Sequence, residues 1–173
     1  MTNWYVITGG PSSGKTTTVD MLHGLGYTTT IEHARHYLDL KRVEGKTVEE
    51  VRARRLEFQH GVLAMQLEQE ASLDTDETIF LDRAIPDSLA YYRFLDIEPD
   101  GQLFDALQHV SYRKTFILDL LPLAADYART EDADSQLRIH ALLTEVYQDL
   151  PIPVVKVPVL SPADRVAYIL DRL

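Results

Sequence analysis

One short segment near the N-terminus, residues 9–16, constrains the fold more than any other part of the sequence. It reads Gly-Gly-Pro-Ser-Ser-Gly-Lys-Thr and fits the pattern G-x-x-x-x-G-K-[ST] without a gap. An apolar run at 4–7 before it predicts a strand, and residues 17–22 after it predict a helix. In that context the pattern is a P-loop, a turn whose backbone N–H groups surround phosphate oxygens at the positive end of a helix.

The P-loop predicts a site for ATP and Mg²⁺. Lys15 is expected to reach the β- and γ-phosphates, and the Thr16 hydroxyl to coordinate the metal. The sequence has one asparagine, Asn3, and neither N-K-x-D nor D-x-x-G, which disfavours a Ras-like GTPase switch but not a nucleotide binder that does not read the base. Adenine is the favoured base. The residues predicted to contact the nucleotide, including the backbone near the adenine, are Gly9, Gly10, Pro11, Ser12, Ser13, Gly14, Lys15, Thr16, Thr17, Val159 and Leu160.

Glu32 follows a β-branched run, residues 27–31, that predicts a second strand. Ligands of open α/β sheets bind beyond the carboxyl ends of the strands, so this carboxylate is a candidate to act on a substrate. The alternative is an acid near the start of the next helix, where it interacts with the helix dipole. His33 and His36 are three residues apart, but without a further ligand motif we expect them on the helix surface.

Asp82 and Arg83 end a third predicted strand, residues 78–82. An aspartate in this position is typical of a Walker B strand, whose carboxylate holds Mg²⁺ beside the phosphates. The alternative is an aspartate that caps the next helix. Arg83 stands where ATP-driven motors have a glutamate that polarises water, which favours transfer to a bound acceptor over mechanical ATP hydrolysis.

Other arginines lie in two segments whose ordinary interpretation is a solvated surface. A polar stretch within residues 121–138 carries Arg129 and Arg138; as a closing lid, it would neutralise charge on the transferred phosphoryl group. Residues 48–73 have the spacing of one long amphipathic helix. We expect its arginines to form a solvated face: Arg52, Arg54 and Arg55. The alternative is that one of them meets the charge of an acceptor.

Five predicted strands alternate with helices along the 173 residues. This order predicts a single domain, a three-layer α/β sandwich with a five-stranded parallel sheet. The net charge of −10 and a pI near 4.9 argue against a nucleic-acid polymer or an anionic membrane as the main partner. There is no cysteine, no apolar run of membrane-spanning length and no room for a signal peptide before the P-loop. We therefore expect a cytoplasmic monomer or homodimer.

The chain resembles the P-loop nucleoside and nucleotide kinases. Within them it is similar to the AAA-type ATPase family that contains the ribosylnicotinamide kinase domain of NadR and a fly photoreceptor-trafficking protein. The segments that carry the resemblance are 8–17, 31–35, 80–87 and 157–159 ahead of Arg165. It implies that Glu32 acts as a base and that Asp82 and Arg83 bind Mg²⁺ and phosphate. The chain lacks the acceptor-binding sequence of thymidylate kinases and the arginine-rich lid of adenylate kinases.

Two functions remain open at this point. The first is a kinase that transfers the γ-phosphate of Mg·ATP to a small acceptor bound between Glu32, Arg35, Arg83 and the predicted long helix. A nucleoside-like hydroxyl is the favoured acceptor, because Glu32 ends a strand and no convincing basic pocket for a second phosphate is evident in the sequence. The second is a nucleotide-dependent binding module, with ATP or GTP and with a ligand such as a phosphoinositide, as the resemblance to the trafficking protein implies.

Overall fold

The computed structural model describes residues 1–121 and 133–173, and its centre is a parallel sheet. The five strands are β1 Trp4–Thr8, β2 Thr28–Thr29, β3 Ile79–Asp82, β4 Lys114–Leu118 and β5 Val154–Val157. They lie in the order β2-β3-β1-β4-β5. The prediction of an α/β fold with a five-stranded parallel sheet is therefore confirmed.

Eight helices are seen in the described residues. They are α1 Lys15–Gly24, α2 His33–Val43, α3 Val48–Ala53, α4 Arg55–Ser72, α5 Ile85–Phe94, α6 Gly101–His109, α7 Ala133–Gln148 and α8 Pro162–Leu170. None of the helices in this part of the chain is long and apolar enough to cross a membrane.

The two faces of the sheet are covered by different helices because side chains alternate along each strand. In β1, Tyr5 and Ile7 join a core cluster with α1 and α8, whereas Trp4 and Val6 face a second cluster that includes Tyr147 of α7. Helices α4, α5 and α7 pack on this second side. The layers are thus helix, sheet and helix.

Two predicted elements differ from the structure. The second strand is shorter than residues 27–31, because β2 is an edge strand and the chain turns away beyond Thr30, whose hydroxyl accepts a hydrogen bond from the Asp82 N–H at 3.0 Å. The predicted helix 48–73 is broken at Arg54, which has φ −91° and ψ 59°. Its N–H bonds Val51 O at 3.3 Å, a tight final turn of α3 that hydrophobic spacing cannot reveal.

Candidate active site

The P-loop connects β1 to α1 and has the backbone shape that its glycines allow. Gly9 has φ +149° and Gly14 has φ +83°. A Cβ on Gly9 would lie 2.7 Å from Leu118 O, so a side chain has no room there. Both glycines are therefore needed for the turn itself.

Arg165 of α8 holds the P-loop from the side of the neighbouring strands. The guanidinium of this residue, which is 2% exposed, donates to Ser13 O in the loop. It also donates to Asp119 O at 2.9 Å and to Pro158 O at 3.0 Å. One buried cation thus joins the P-loop to the segments that follow β4 and β5, a function that its position in the sequence did not suggest.

Helix α7 contacts the other end of the same loop. Gln136 Nε2 donates to Pro11 O at 2.7 Å and to Leu121 O at 3.2 Å. The Gly10 N–H donates to His140 Nδ1 at 3.2 Å. Burial lowers the pKa of His140, which keeps the ring neutral and able to accept this bond.

Four of the residues predicted to contact ATP or its metal are exposed. Val159 and Leu160, just after β5, are 56% and 38% exposed. Thr16 and Thr17, in the first turn of α1, are also exposed. Their contacts with ATP stay predictions, and each side chain is accessible to a ligand.

Asp82 lies beside the P-loop because β3 pairs with β1, with Asp82 opposite Ile7. The carboxyl group is 4% exposed, and its Oδ1 has no hydrogen-bond partner. Burial, and secondly the charge of Glu32, raises the pKa of Asp82 to about 7. A buried carboxylate oxygen without a donor fits a cation ligand, so Asp82 and the Thr16 hydroxyl suit Mg²⁺.

Lys15 and Arg83 are the two cations beside Asp82. Lys15 is 4% exposed, and its Nζ lies 3.5 Å from Gly10 O. Burial, and secondly the charge of Arg83, lowers the pKa of Lys15 to about 8. Both charges face a space where an anion would lower their mutual repulsion, as a triphosphate would.

Arg83 connects these groups to Glu32. It is a non-glycine residue with φ +67°, and it is 7% exposed. Its Nε donates to Glu32 Oε1 at 2.9 Å and its Nη2 to the Tyr91 hydroxyl at 3.2 Å. Burial alone would raise the pKa of Glu32, but the charges of Arg83 and Lys15 lower it to about 2. Glu32 is therefore ionised at neutral pH.

A cavity of about 440 Å³ opens above Lys15, Glu32 and Arg83, with its walls formed by α2, α3, α4 and α5. Its apolar lining includes Leu38, Phe58, Val62, Tyr91, Phe94 and Leu95. Its polar lining includes His33, Gln59, Gln66 and Ser88. Three further arginines line it: Arg35, Arg52 and Arg55.

The arginines of the predicted long helix differ in their exposure and in their contact with this cavity. Arg52 and Arg55 line the cavity, on either side of the break between α3 and α4. Arg54 and Arg55 are exposed, as expected for a solvated face, and the Arg54 side chain pairs with Glu57 at 3.2 Å, whereas Arg52 is half-buried. No convincing basic pocket for a second phosphate was evident in the sequence, but the helices bring Arg35, Arg52 and Arg55 to the lining of one cavity.

His33 was also expected on the surface but is buried. It is 5% exposed, and its Nε2 lies 2.8 Å from Gln69 Oε1. Burial lowers the pKa of His33. The described residues contain no cluster of three or more side chains that could hold a metal ion through histidine or acidic ligands. A shared metal site with His36 is therefore not supported.

Of the two arginines proposed for a lid, only Arg138 lies in the described residues. Arg129 lies outside the described residues, and so does most of the segment 121–138. Arg138 lies on α7 with its side chain 58% exposed. Its Nη2 lies 4.0 Å from Asp96 Oδ1, and its Cζ lies 5.3 Å from the centre of the Phe94 ring. Arg138 is not part of the cavity lining. The catalytic function of both residues stays a prediction.

This fold is that of the P-loop nucleoside and nucleotide kinases. A deoxyadenosine kinase from M. mycoides, solved with bound dATP, aligns over 98% of both chains at 16% identity and a TM-score of 0.60. A thymidylate kinase from Ehrlichia chaffeensis aligns over 98% of this chain and 97% of its own, at 17% identity and a TM-score of 0.65. NadR in complex with NR aligns over 97% of this chain but 47% of its own, at 17% identity and a TM-score of 0.61.

The sequence places the chain in a family. The model of the AAA domain family matches residues 4–165, so the chain belongs to that family. No curated protein matches the sequence. The resemblance expected from the P-loop and the strand-end residues is thus confirmed for both the family and the fold.

Proposed function

We propose that this protein is a kinase that transfers the γ-phosphate of Mg·ATP to a hydroxyl of a small, nucleoside-like acceptor. One observation carries the proposal: the cavity of about 440 Å³ is lined both by Lys15 of the P-loop and by Glu32 with Arg83. A donor held by the P-loop and an acceptor in the cavity would therefore meet at these residues. The volume lies within the range of roughly 300–1,000 Å³ that is usual for small-molecule sites.

The walls of the cavity support a flat, polar-edged acceptor. Phe58, Tyr91 and Phe94 offer aromatic surfaces, and the amide of Gln59 offers both a donor and an acceptor. Gln59 is 4% exposed, so its hydrogen bonds would form in a site that contains little water. The similar structures of a deoxyadenosine kinase and a thymidylate kinase are consistent with such an acceptor.

The charged residues have separate functions in this proposal. Mg²⁺, held by Asp82 and Thr16, would neutralise charge on the phosphates. Lys15 binds the β- and γ-phosphates, and Arg83 holds Glu32 ionised. Among the described residues only Oε1 of Glu32 accepts a hydrogen bond, so Oε2 is open to an acceptor hydroxyl. A pKa of about 2 makes Glu32 a weak base. That strength suits a loose transition state, in which the hydroxyl loses its proton late.

A second candidate is favoured by the arginines of the cavity. Arg35, Arg52 and Arg55 would attract an anionic group on the ligand. That ligand is either a phosphate-bearing acceptor or, in a nucleotide-dependent binding module, an anionic molecule such as a phosphoinositide. Glu32 would then have no proton to remove.

A thermal-shift panel tests these candidates. Nucleosides, nucleoside monophosphates and soluble phosphoinositides are added with and without Mg²⁺ and the ATP analogue AMP-PNP, and active ligands enter a phosphate-transfer assay. Stabilisation by a nucleoside together with transfer from ATP supports the kinase. Stabilisation by phosphoinositides without any transfer supports the binding module. If Mg·AMP-PNP does not stabilise the protein, both candidates are wrong.

A further inference from the structure

Asp87, in the first turn of α5, is a buried carboxylate for which the proposed reaction assigns no function. It is 4% exposed and lines the cavity next to Arg83. Its Oδ1 accepts from the Thr8 hydroxyl at 2.6 Å and from Arg83 Nη1 at 2.8 Å. Its Oδ2 accepts from the Tyr147 hydroxyl at 2.5 Å and from the Ala84 N–H at 3.1 Å. Four donors from different parts of the chain thus meet at one carboxyl group.

These four bonds define what Asp87 can do. A carboxylate has about four lone-pair sites, and each of those of Asp87 has a donor. The group therefore has no site left to take a proton from a substrate or to coordinate a metal. Asp87 can therefore affect the active site only through the groups that it holds.

Two of those groups connect the halves of the active site. Thr8 is the last residue of β1 and directly precedes the P-loop. Arg83 pairs with Glu32, and its backbone has φ +67°, a conformation that a non-glycine side chain adopts at a cost. The contacts of Arg83 must offset that backbone cost, and among the partners of its guanidinium Asp87 also contacts the end of β1.

Helix α7 adds an independent link between the same regions. Tyr147 binds Asp87 near the end of this helix, and Gln136 and His140 bind the P-loop near its start. A rigid helix thus connects the donor loop to the carboxylate that holds Arg83. A shift of Asp87 would change the distance between the phosphate site and Glu32.

We propose that Asp87 is a positioning residue that ties Arg83 to the base of the P-loop and so keeps Glu32 at a fixed place relative to the ATP donor. The kinetic part of this proposal rests on the proposed kinase function. The structural part does not, because it concerns contacts within the chain, those of Asp87 with Arg83 and Thr8.

NMR of arginine side chains tests the structural part without an acceptor. The Nε–H of Arg83, identified by its loss in Arg83→Gln, should exchange slowly with water because it is buried against Glu32. In Asp87→Asn an amide N–H₂ faces several donors, and we expect Arg83 Nε–H exchange to accelerate at least about tenfold. The buried Nε–H of Arg165, which donates to Pro158 O, is the internal control for general loosening. Equal exchange of Arg83 in wild type and variant would overturn the proposal.

Thr8→Val is the second variant, in case Asp87→Asn does not fold. It removes only the donor at the end of β1 and leaves the Arg83–Asp87 ion pair, and we expect a smaller increase in Arg83 exchange. Asp100→Ala removes the N-terminal cap of α6 and serves as the matched stability control. It should lower Tm but leave Arg83 exchange unchanged. Faster Arg83 exchange in Asp100→Ala would show that the measurement reports stability alone. Unchanged exchange in Thr8→Val would show that the contact with β1 does not hold Arg83, and either outcome would count against the proposal.

The kinetic part uses the nucleoside that the thermal-shift panel identifies. A displaced Arg83 should lower kcat by about 10²-fold in Asp87→Asn while Mg·AMP-PNP stabilises the variant as it does the wild type. In a double-mutant cycle, Asp87→Asn should add little to the loss already caused by Arg83→Gln. Additive losses would mean that Asp87 acts independently of Arg83. If no nucleoside is phosphorylated, the kinase proposal fails, and the NMR result still decides the function of Asp87.

Discussion

The donor half and the acceptor half of this active site are built in different ways. The donor half is one continuous segment, residues 9–16, whose function depends on the course of its backbone. The acceptor half is a set of side chains from α2, α3, α4 and α5, which come together only in the folded chain. A motif can therefore reveal the donor, whereas the acceptor depends on packing that no short pattern records.

The two halves also differ in what holds them in place. The donor loop is bound by long side chains from α7 and α8 that reach backbone carbonyls and one N–H: Gln136, His140 and Arg165. The acceptor half is held by ion pairs and hydrogen bonds between buried side chains, such as Arg83 with Glu32 and Asp87. Substitutions should therefore separate the halves, since some will affect ATP binding alone and others only the acceptor.

Lys15→Ala should give the largest effect, and it should fall entirely on the donor half. Without the buried ammonium group, stabilisation by Mg·AMP-PNP should disappear and phosphate transfer should fall by at least about 10²–10³-fold. Asp82→Asn is the matched comparison, in which stabilisation by the nucleotide should lose its dependence on Mg²⁺. The measurement is a thermal shift with and without Mg²⁺. Wild-type nucleotide stabilisation in both variants would remove the P-loop from the mechanism.

Glu32→Gln should give the next largest effect, on the acceptor half. The amide keeps the size of the side chain but removes the charge that accepts a hydroxyl proton. With a hydroxyl acceptor, kcat should fall by at least about a hundredfold while AMP-PNP binding is retained. With a phosphate acceptor the loss should be small, because that acceptor is already an anion. A fully active variant with a hydroxyl acceptor would leave Asp82 as the remaining candidate base.

Sequence patterns predicted the donor half and the sheet because both depend on local signals. Strand-forming runs predicted the number of strands. Because β1 and β3 pair and end at the same edge of the sheet, Lys15 lies near Asp82 and Arg83, as expected. Glu32 lies at the expected end of the sheet although β2 is shorter than expected, since the Thr30 N–H still donates to Phe80 O of β3 just before the chain turns away. The order of the elements was therefore enough to bring these charged residues together.

For the acceptor half the sequence predicted the position, between Glu32, Arg35, Arg83 and the long helix, but not most of the side chains that line it. His33 and Arg55 looked like surface residues because their neighbours in sequence are polar, and their burial or cavity contact depends on α2, α3 and α4 packing together. Gln59 gave no signal, since a single glutamine among charged residues usually faces solvent. Asp87 lies in a segment that carried the family resemblance, but its function follows from contacts with Thr8 and Tyr147, which are distant in sequence.

Glu70 allows a test of how a buried carboxyl group of the acceptor half affects the stability of the fold. This carboxyl group, behind the cavity, accepts from Gln66 Nε2 at 2.7 Å, the Tyr112 hydroxyl at 2.8 Å and the Ile85 N–H at 3.3 Å. Burial outweighs these donors and raises the pKa of Glu70 to about 7 from 4.5. The folded state therefore binds a proton more tightly than the unfolded state does, and Glu70 contributes most stability below pH 4.5.

That contribution should be lost as the pH rises from 4.5 to about 7. Relative to Glu70→Gln, the wild type should lose about 3 kcal/mol of unfolding free energy across this window, roughly a hundredfold in the folding equilibrium. Urea unfolding at several pH values measures the difference. Glu68→Gln, an exposed change on the same helix, is the control and should follow the wild type. A constant difference between wild type and Glu70→Gln would show that Glu70 is not a strained buried acid.

The arginines at the break between α3 and α4 give the smallest effect and decide whether the acceptor is an anion. Arg54 and Arg55 are adjacent in sequence, but Arg55 lines the cavity and Arg54 pairs with Glu57 outside it. If the acceptor carries a phosphate, Arg55→Gln should raise its KM by about tenfold, the value of one charge-assisted hydrogen bond, with kcat unchanged. Arg54→Gln should leave KM within about twofold of wild type, as expected for an exposed ion pair. Equal KM values for a nucleoside monophosphate in the two variants would mean that Arg55 does not bind the phosphate and would favour the neutral acceptor.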